Sequence, residues 1–379
     1  MLHRSSSDSD GSRSLTSTDS RPDAVAAYEA RIAELERKVS RLQEQRRGTS
    51  IVPGRSKQFA ERYAIIAIWV LLIAAFAIVE QVMFGSSRFF SWSNFATMFG
   101  TQGVLVVLTL GLLLPLTAGD FDLSIAATMT LSSLIVAIQI TAFGTPTPVA
   151  VAMALLAGAV IGGLNAFFIL YFRIHSLIVT LGMATFVIGI AKWISASRTV
   201  SIFGADPTLI QWINQTRLFN ISMSFWYALM LCVLIWYVLE YTTHGRRLLF
   251  VGRSREVAHL AGIRVDAVRA WALIGSGVIA ALAGILAVGV NGSADPSSRI
   301  GLLLPAFAAA FLGATSIVPG RFNPWGSFIG VLLLATGISG LQIFGIPNFV
   351  QDLFYGGGLI IAVAASQLVR RRRPMEFGG

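Results

Sequence analysis

From Tyr63 to Val369 the chain is a train of apolar segments, each about as long as a bilayer is thick. Ten can be delimited: Tyr63–Met83, Met98–Ala118, Leu123–Phe143, Val149–Tyr171, Leu177–Ile194, Met223–Tyr241, Ala270–Val290, Ile300–Val318, Pro324–Phe344 and Phe349–Val369. One crossing needs roughly 20 apolar residues. A spanning segment must also satisfy its own backbone polar groups, and helices do so without a partner strand. No convincing strand pattern interrupts the series. The predicted fold is an all-α polytopic, multi-pass membrane protein of about ten transmembrane helices.

Charge sets the orientation. Only 13% of residues are charged, against about 25% in soluble proteins. The net charge of +10 calls for no nucleic acid, because basic residues collect on cytoplasmic loops of membrane proteins. With the N-terminus inside, the inner loops and tail carry Arg173, Arg246, Arg247, Arg253, Arg255, Arg264, Arg269, Arg321 and Arg370 to Arg373. The outer side carries Arg88, Lys192, Arg198, Arg217 and Arg299. Twelve against five places both termini in the cytoplasm.

The soluble ends divide by composition. Residues 1–22 are polar and serine-rich and predict a disordered tail. The next stretch, 23–47, places Val25, Tyr28, Ile32, Leu35, Val39 and Leu42 at heptad spacing, the seam of a coiled coil. A helix lying on the membrane surface has the same pattern. Residues 48–62 read as a basic linker, 63–369 as the transmembrane domain, and 370–379 as a basic tail. The N-terminus lacks the early apolar core that a signal peptide needs.

Two acids stand out inside the apolar train. Asp120 and Asp122 are the only charged residues between Gly103 and Ile140. A carboxylate at membrane depth is costly and faces protein or water rather than lipid. The broken segment near 117–124 is therefore buried or lines a pathway. Thr117, Asp120, Asp122, Ser124, Thr128 and Asn165 are the candidate pathway groups. Asp122 has a second reading, as the N-cap of the third span.

The inner connection 242–269 holds six arginines, Glu256 and Asp266. Its middle reads as a short helix capped by Ser254 and ended by Gly262. Val257, Leu260 and Ala261 share one face of it. Such a loop is either a docking surface or a solvated element whose arginines only set topology. The outer connection Ser195–Ser222 reads as a short amphipathic element on the opposite side.

Enzymatic chemistry has little support. There is no phosphate-binding G-x-x-x-x-G-K-[ST] loop and no H-E-x-x-H. The four histidines are scattered and Cys232 is the only cysteine, so neither a metal site nor a catalytic residue is predicted.

Four motifs in order resemble one family. Leu116 to Ser124 (L-T-A-G-D-F-D-L-S) resembles T-A-G-G-I-D-L-S. Asn165 to Ile169, followed by Arg173 to Gly182 (R-I-H-S-L-I-V-T-L-G), is similar to N-G-…-R-I-P-P-F-I-V-T-L-G. Gly245 to Arg247 with Ala258 to Ile263 resembles G-R-…-A-A-R-L-S-G-I, and Leu312 to Arg321 resembles G-G-T-S-L-S-G-G-R-G. The pattern is that of permease subunits of bacterial ABC importers of the ribose/xylose/galactose type, and covers about Met98 to Val369.

The resemblance implies a permease dimer, of identical or paralogous subunits, moving a monosaccharide. A cytosolic sugar-type ABC ATPase would bind the ATP, so this chain needs no cofactor, and an extracytoplasmic binding protein would deliver the solute. Arg253, Arg255, Glu256, Val257, Leu260, Ala261 and Gly262 would form the ATPase-coupling helix. Asp120 stands where the family has glycine, and Ala314 and Pro319 also depart from its glycines. A nucleoside or a branched-chain amino acid therefore remains an alternative solute. A proton-coupled secondary transporter using Asp120 or Asp122 is the rival class, and a membrane scaffold a third.

Overall fold

A computed structural model describes residues 28–38, 40–41, 55–85, 88–205, 208–347 and 349–372. The predicted tail 1–22, the linker segment 48–54 and residues 373–379 lie outside them. The chain divides into two units, 1–58 and 59–379.

In the first unit, residues 28–38 and 40–41 are helical. Tyr28, Ile32 and Leu35 lie along it, all exposed. The other heptad positions, Val25, Val39 and Leu42, fall outside the described residues.

The second unit is a helical bundle. Its first helix, α1, runs Arg55–Phe84, so the helix begins eight positions before the expected span and absorbs the second half of the expected linker. Two of its contacts are Trp69, whose Nε1 donates to Thr336 Oγ1 at 2.8 Å, and Phe76, whose ring lies against Gly340. Most of its surface is apolar and uncovered, as suits a lipid-facing helix.

The centre is α2, Trp92–Ala118, buried without a break from Gly103 to Ala118. A helix apolar on every side is a core or membrane helix. Next come α3, Ile125–Phe143, α4, Thr147–Leu170, α5, Ser176–Ile194, and α6, Met223–Tyr241. The inner connection folds into α7, Thr243–Arg253, and α8, Arg255–Leu260. Three more long elements follow: α9, Val265–Asn291, α11, Pro324–Ile343, and α12, Phe349–Arg372. Between α9 and α11 lies a short α10, Leu303–Gly313.

Helix α9 packs against α2, α3 and α4. The α4 contact is a backbone approach: a Cβ on Gly158 or Gly277 would overlap the other's carbonyl. Small residues at membrane helix crossings permit such approach.

Among the described residues eight helices are long and apolar enough to cross a membrane, with two shorter apolar stretches at Ile300–Gly313 and Phe349–Ala364. The expected span Ile300–Val318 is the one cut short. Its eleven α-helical residues rise only about 16 Å. The chain turns at Ala314, where Asn323 Nδ2 donates to Gly313 O at 2.9 Å and Ser316 O at 3.1 Å. Asn323 Oδ1 accepts from Gly326 N and so caps α11. Ile317 N and Ser316 Oγ both donate to Arg62 O of α1. These bonds satisfy the turn better than another helical turn would, and none of them registers in hydropathy.

The outer connection contains short strands where none were expected. β1, Val200–Ser201, pairs antiparallel with β4, Ser293–Ala294, and β2, Arg217–Leu218, pairs with β3, Ile221–Ser222. A helical turn at Thr208–Ile210 and a π-helical turn at Gln211–Gln215 lie between these pairs in sequence.

Candidate functional site

The α2–α3 turn, residues 119–124, brings the two acids into a buried polar cluster. Gly119 ends α2 with φ +79°, and its N–H donates to Leu116 O at 3.1 Å. A left-handed residue after a helix end favours glycine. Asp120 N donates to Pro115 O at 2.9 Å, so the Asp120 backbone is fixed to the last turn of α2.

The Asp120 side chain meets two guanidinium groups. Arg269, four residues into α9, grips it with both prongs: Nε to Oδ2 at 2.7 Å and Nη2 to Oδ1 at 2.8 Å. Arg255, the first residue of α8, donates from Nη2 to Oδ1 at 3.0 Å, to Gly119 O at 3.0 Å and to Ala118 O at 3.4 Å. Side-chain exposure is 3% for Asp120, 8% for Arg269 and 44% for Arg255. The Arg269 pair is thus a desolvated, bidentate ion pair. The Arg255 contact sits at its solvent edge, on carbonyls at a helix C-terminus where a cation is favoured.

Asp122 has a different environment. Oδ1 accepts from Ser124 N at 3.0 Å and Ser124 Oγ at 2.6 Å, and Oδ2 accepts from Ser276 Oγ of α9 at 2.8 Å. The N-cap position of α3 is Ser124, which makes no side-chain cap bond. Asp122 lies two residues earlier and closes a local turn on Ser124 N–H.

The remaining candidates surround this turn. Asn165 Nδ2 donates to Ser124 Oγ at 2.7 Å, and Thr128 Oγ1 to Ser124 O at 3.0 Å. Thr117 Oγ1 and Asn165 Oδ1 are buried without a partner. Phe121 ties the turn to α5, its N–H donating to Ser176 Oγ at 3.1 Å and its carbonyl accepting from Thr180 Oγ1 at 3.3 Å. All six sequence candidates are buried within this single chain. They come together around the turn.

Helices α7 and α8 press against the same turn. Thr242 caps α7 by accepting from Gly245 N, and α7 buries Gly245, Leu248 and Val251. Gly252 lies so close to α2 that a Cβ there would overlap the carbonyl oxygen of Thr117. Ser254 caps α8, and Gly262, at φ +76°, follows its end. Ala258 faces inward and is fully buried, whereas Val257, Leu260 and Ala261 point outward, Leu260 at 85% exposure. Arg253, Glu256 and Gly262 are also exposed. Among the described residues no cluster of histidine, cysteine or acids could hold a metal ion.

Arg269 and Ser276 were missed from sequence. Arg269 counted only as one of the topology-setting arginines. One signal was available: two acids in an apolar run with no local counter-charge require a distant one.

Residues 91–363 match the family described as branched-chain amino acid transport system / permease component. Curated relatives include the autoinducer 2 import system permease protein LsrD of Yersinia pseudotuberculosis serotype O:3 (strain YPIII), 30% identical over 311 residues, which is 80% of this chain and 92% of that protein. The protein of the same name from Yersinia pestis (strain Pestoides F) has the same identity and coverage. No solved structure matches.

Proposed function

The chain belongs to this permease family, the membrane subunits of ABC importers, and on that premise we propose that it translocates a monosaccharide, driven by a cytosolic sugar-type ATPase docked on α8. The observation that carries the reading is the seating of α7 and α8 on the end of the central helix. Gly252 touches Thr117 and Arg255 touches Asp120, while Val257 and Leu260 are left uncovered on the far side. An apolar, exposed pair on an otherwise basic loop fits a partner protein better than water. ATP would be bound by that partner, and a binding protein would present solute at the face carrying β1 to β4.

The arginine distribution supports a cytoplasmic position for both termini. Ten crossings follow if Ile300–Gly313 completes its passage across a locally thinned bilayer and Phe349–Ala364 does so with the rest of α12. A second permease subunit, identical or paralogous, would supply the other wall of the pathway. Because the six polar candidates are already buried inside one chain, a partner subunit can cover them further but cannot expose them. Their role is therefore to frame the α2–α3 turn, and solute contacts fall to residues at the subunit boundary.

The relatives' name gives autoinducer 2 as their solute, which makes it the second solute to test. The proton-coupled alternative loses ground on geometry, since Asp120 is engaged by two arginines and Asp122 by three donors. The test is uptake of a labelled panel of monosaccharides, autoinducer 2, nucleosides and branched-chain amino acids, with and without the cognate ATPase. Uptake of a monosaccharide only with the ATPase supports the proposal. Preference for another solute overturns the substrate assignment, and ATPase-independent uptake overturns the importer reading.

A further inference from the structure

We infer that Arg255, Asp120 and Arg269 form the link through which movement of α8 reaches the transmembrane core, so that Asp120 and Arg255 are positioning residues for coupling rather than docking or solute contacts. This rests on the importer reading above. The load path is continuous. Leu260 and Val257 present the outer face of α8. Arg255, on the same short helix, turns inward, and one of its nitrogens reaches two carbonyls of the α2 terminus and the Asp120 carboxylate. Asp120 is tied by its backbone to Pro115 in α2 and by its side chain to Arg269 in α9. Displacing α8 therefore pulls on α2 and α9 together, and α9 in turn packs on α3 and α4. Gly252 adds a rigid backbone contact beside the charged one. The resembling family pattern has glycine where this chain has Asp120, so the carboxylate is an additional fastening in this protein.

The experiment uses the complete transporter in proteoliposomes: this chain, its permease partner, the ATPase and the binding protein. Solute imported per ATP hydrolysed is measured for Arg255→Ala, Asp120→Asn, the double variant and Arg255→Lys, with co-purification of the ATPase alongside. The buried Asp120–Arg269 pair is intact in Arg255→Ala, so that variant keeps the test usable if Asp120→Asn folds poorly. We expect both single variants to retain the ATPase and to lose about two- to fivefold in solute per ATP, the range open to a contact at the solvent edge. The double variant should be no worse than the weaker single one, since residues acting through one contact are non-additive. Arg255→Lys, which keeps the charge but not the fork, should recover part of the loss. A wild-type ratio in Arg255→Ala overturns the proposal, as do losses that multiply in the double variant. Loss of the ATPase from Arg255→Ala also overturns it, because Arg255 would then be a docking contact. A wild-type transporter that binds no ATPase overturns the functional reading, and this proposal with it.

Discussion

Replacing Asp120 by alanine is the most informative perturbation of the buried cluster. The carboxylate is the only acid that an ion pair joins to Arg269 among the described residues, and Arg269 is 8% exposed. Removing it leaves a guanidinium desolvated and unpaired, a loss of about 3–5 kcal/mol. The Arg255 contact adds little to stability, because at 44% exposure it is screened by solvent and is worth about 0–1 kcal/mol. Replacing both buried partners by apolar residues of similar size, Asp120→Leu with Arg269→Met, removes the unpaired charge and should be near neutral or stabilising. The order of thermal stability should therefore be Asp120→Ala far below Arg255→Ala, with the double apolar variant near wild type. Cys232 provides the assay, since it is the only cysteine and is buried. Its labelling by a thiol-reactive fluorophore during a thermal ramp in detergent reports opening of the bundle. The reasoning is refuted if Asp120→Ala unfolds at the temperature of Arg255→Ala, or if the double apolar variant is as weak as Asp120→Ala.

Other expectations follow from neighbouring contacts. Gly252→Ala should lower both uptake and thermal stability, because its Cβ has no room beside Thr117 O, whereas Gly163→Ala, with open space around it, should leave both unchanged. Leu260→Asp should abolish co-purification of the ATPase without shifting the unfolding temperature, since Leu260 is exposed and the new charge is desolvated only in the complex. Ser276→Ala removes one donor from the buried Asp122 carboxylate and should cost about 1–3 kcal/mol, read as earlier Cys232 labelling.

Hydropathy made most of the bundle legible. The span expected at Met223–Tyr241 coincides with α6, and the end expected at Ala118 is the end of α2. Lipid imposes length and apolarity on such helices directly. The failures arise where specific hydrogen bonds decide. Hydropathy carries the eighth segment on to Val318, but Asn323 and the Arg62 carbonyl capture the chain at Ala314. The broken segment announced itself through Asp120 and Asp122, yet their environments did not. By resemblance Asp122 was the acid to weigh more, and the structure ties Asp120 to two arginines while leaving Asp122 to hydroxyl and backbone donors. Arg269 lies 149 residues from Asp120, and periodicity carries no information about a pairing over that distance. The inner loop was legible as a capped helix because Ser254 and Gly262 are local signals. Arg255 was expected among the ATPase-coupling residues, and only the tertiary packing reveals that its guanidinium reaches Asp120.

ATP-driven import through α8 is tested by accumulation of labelled monosaccharide in proteoliposomes, comparing the full transporter supplied with ATP against this chain alone under a proton gradient. Accumulation is expected only with the ATPase and ATP present, and is expected to be lost in Leu260→Asp. Concentrative uptake by this chain alone, driven by protons, would contradict it.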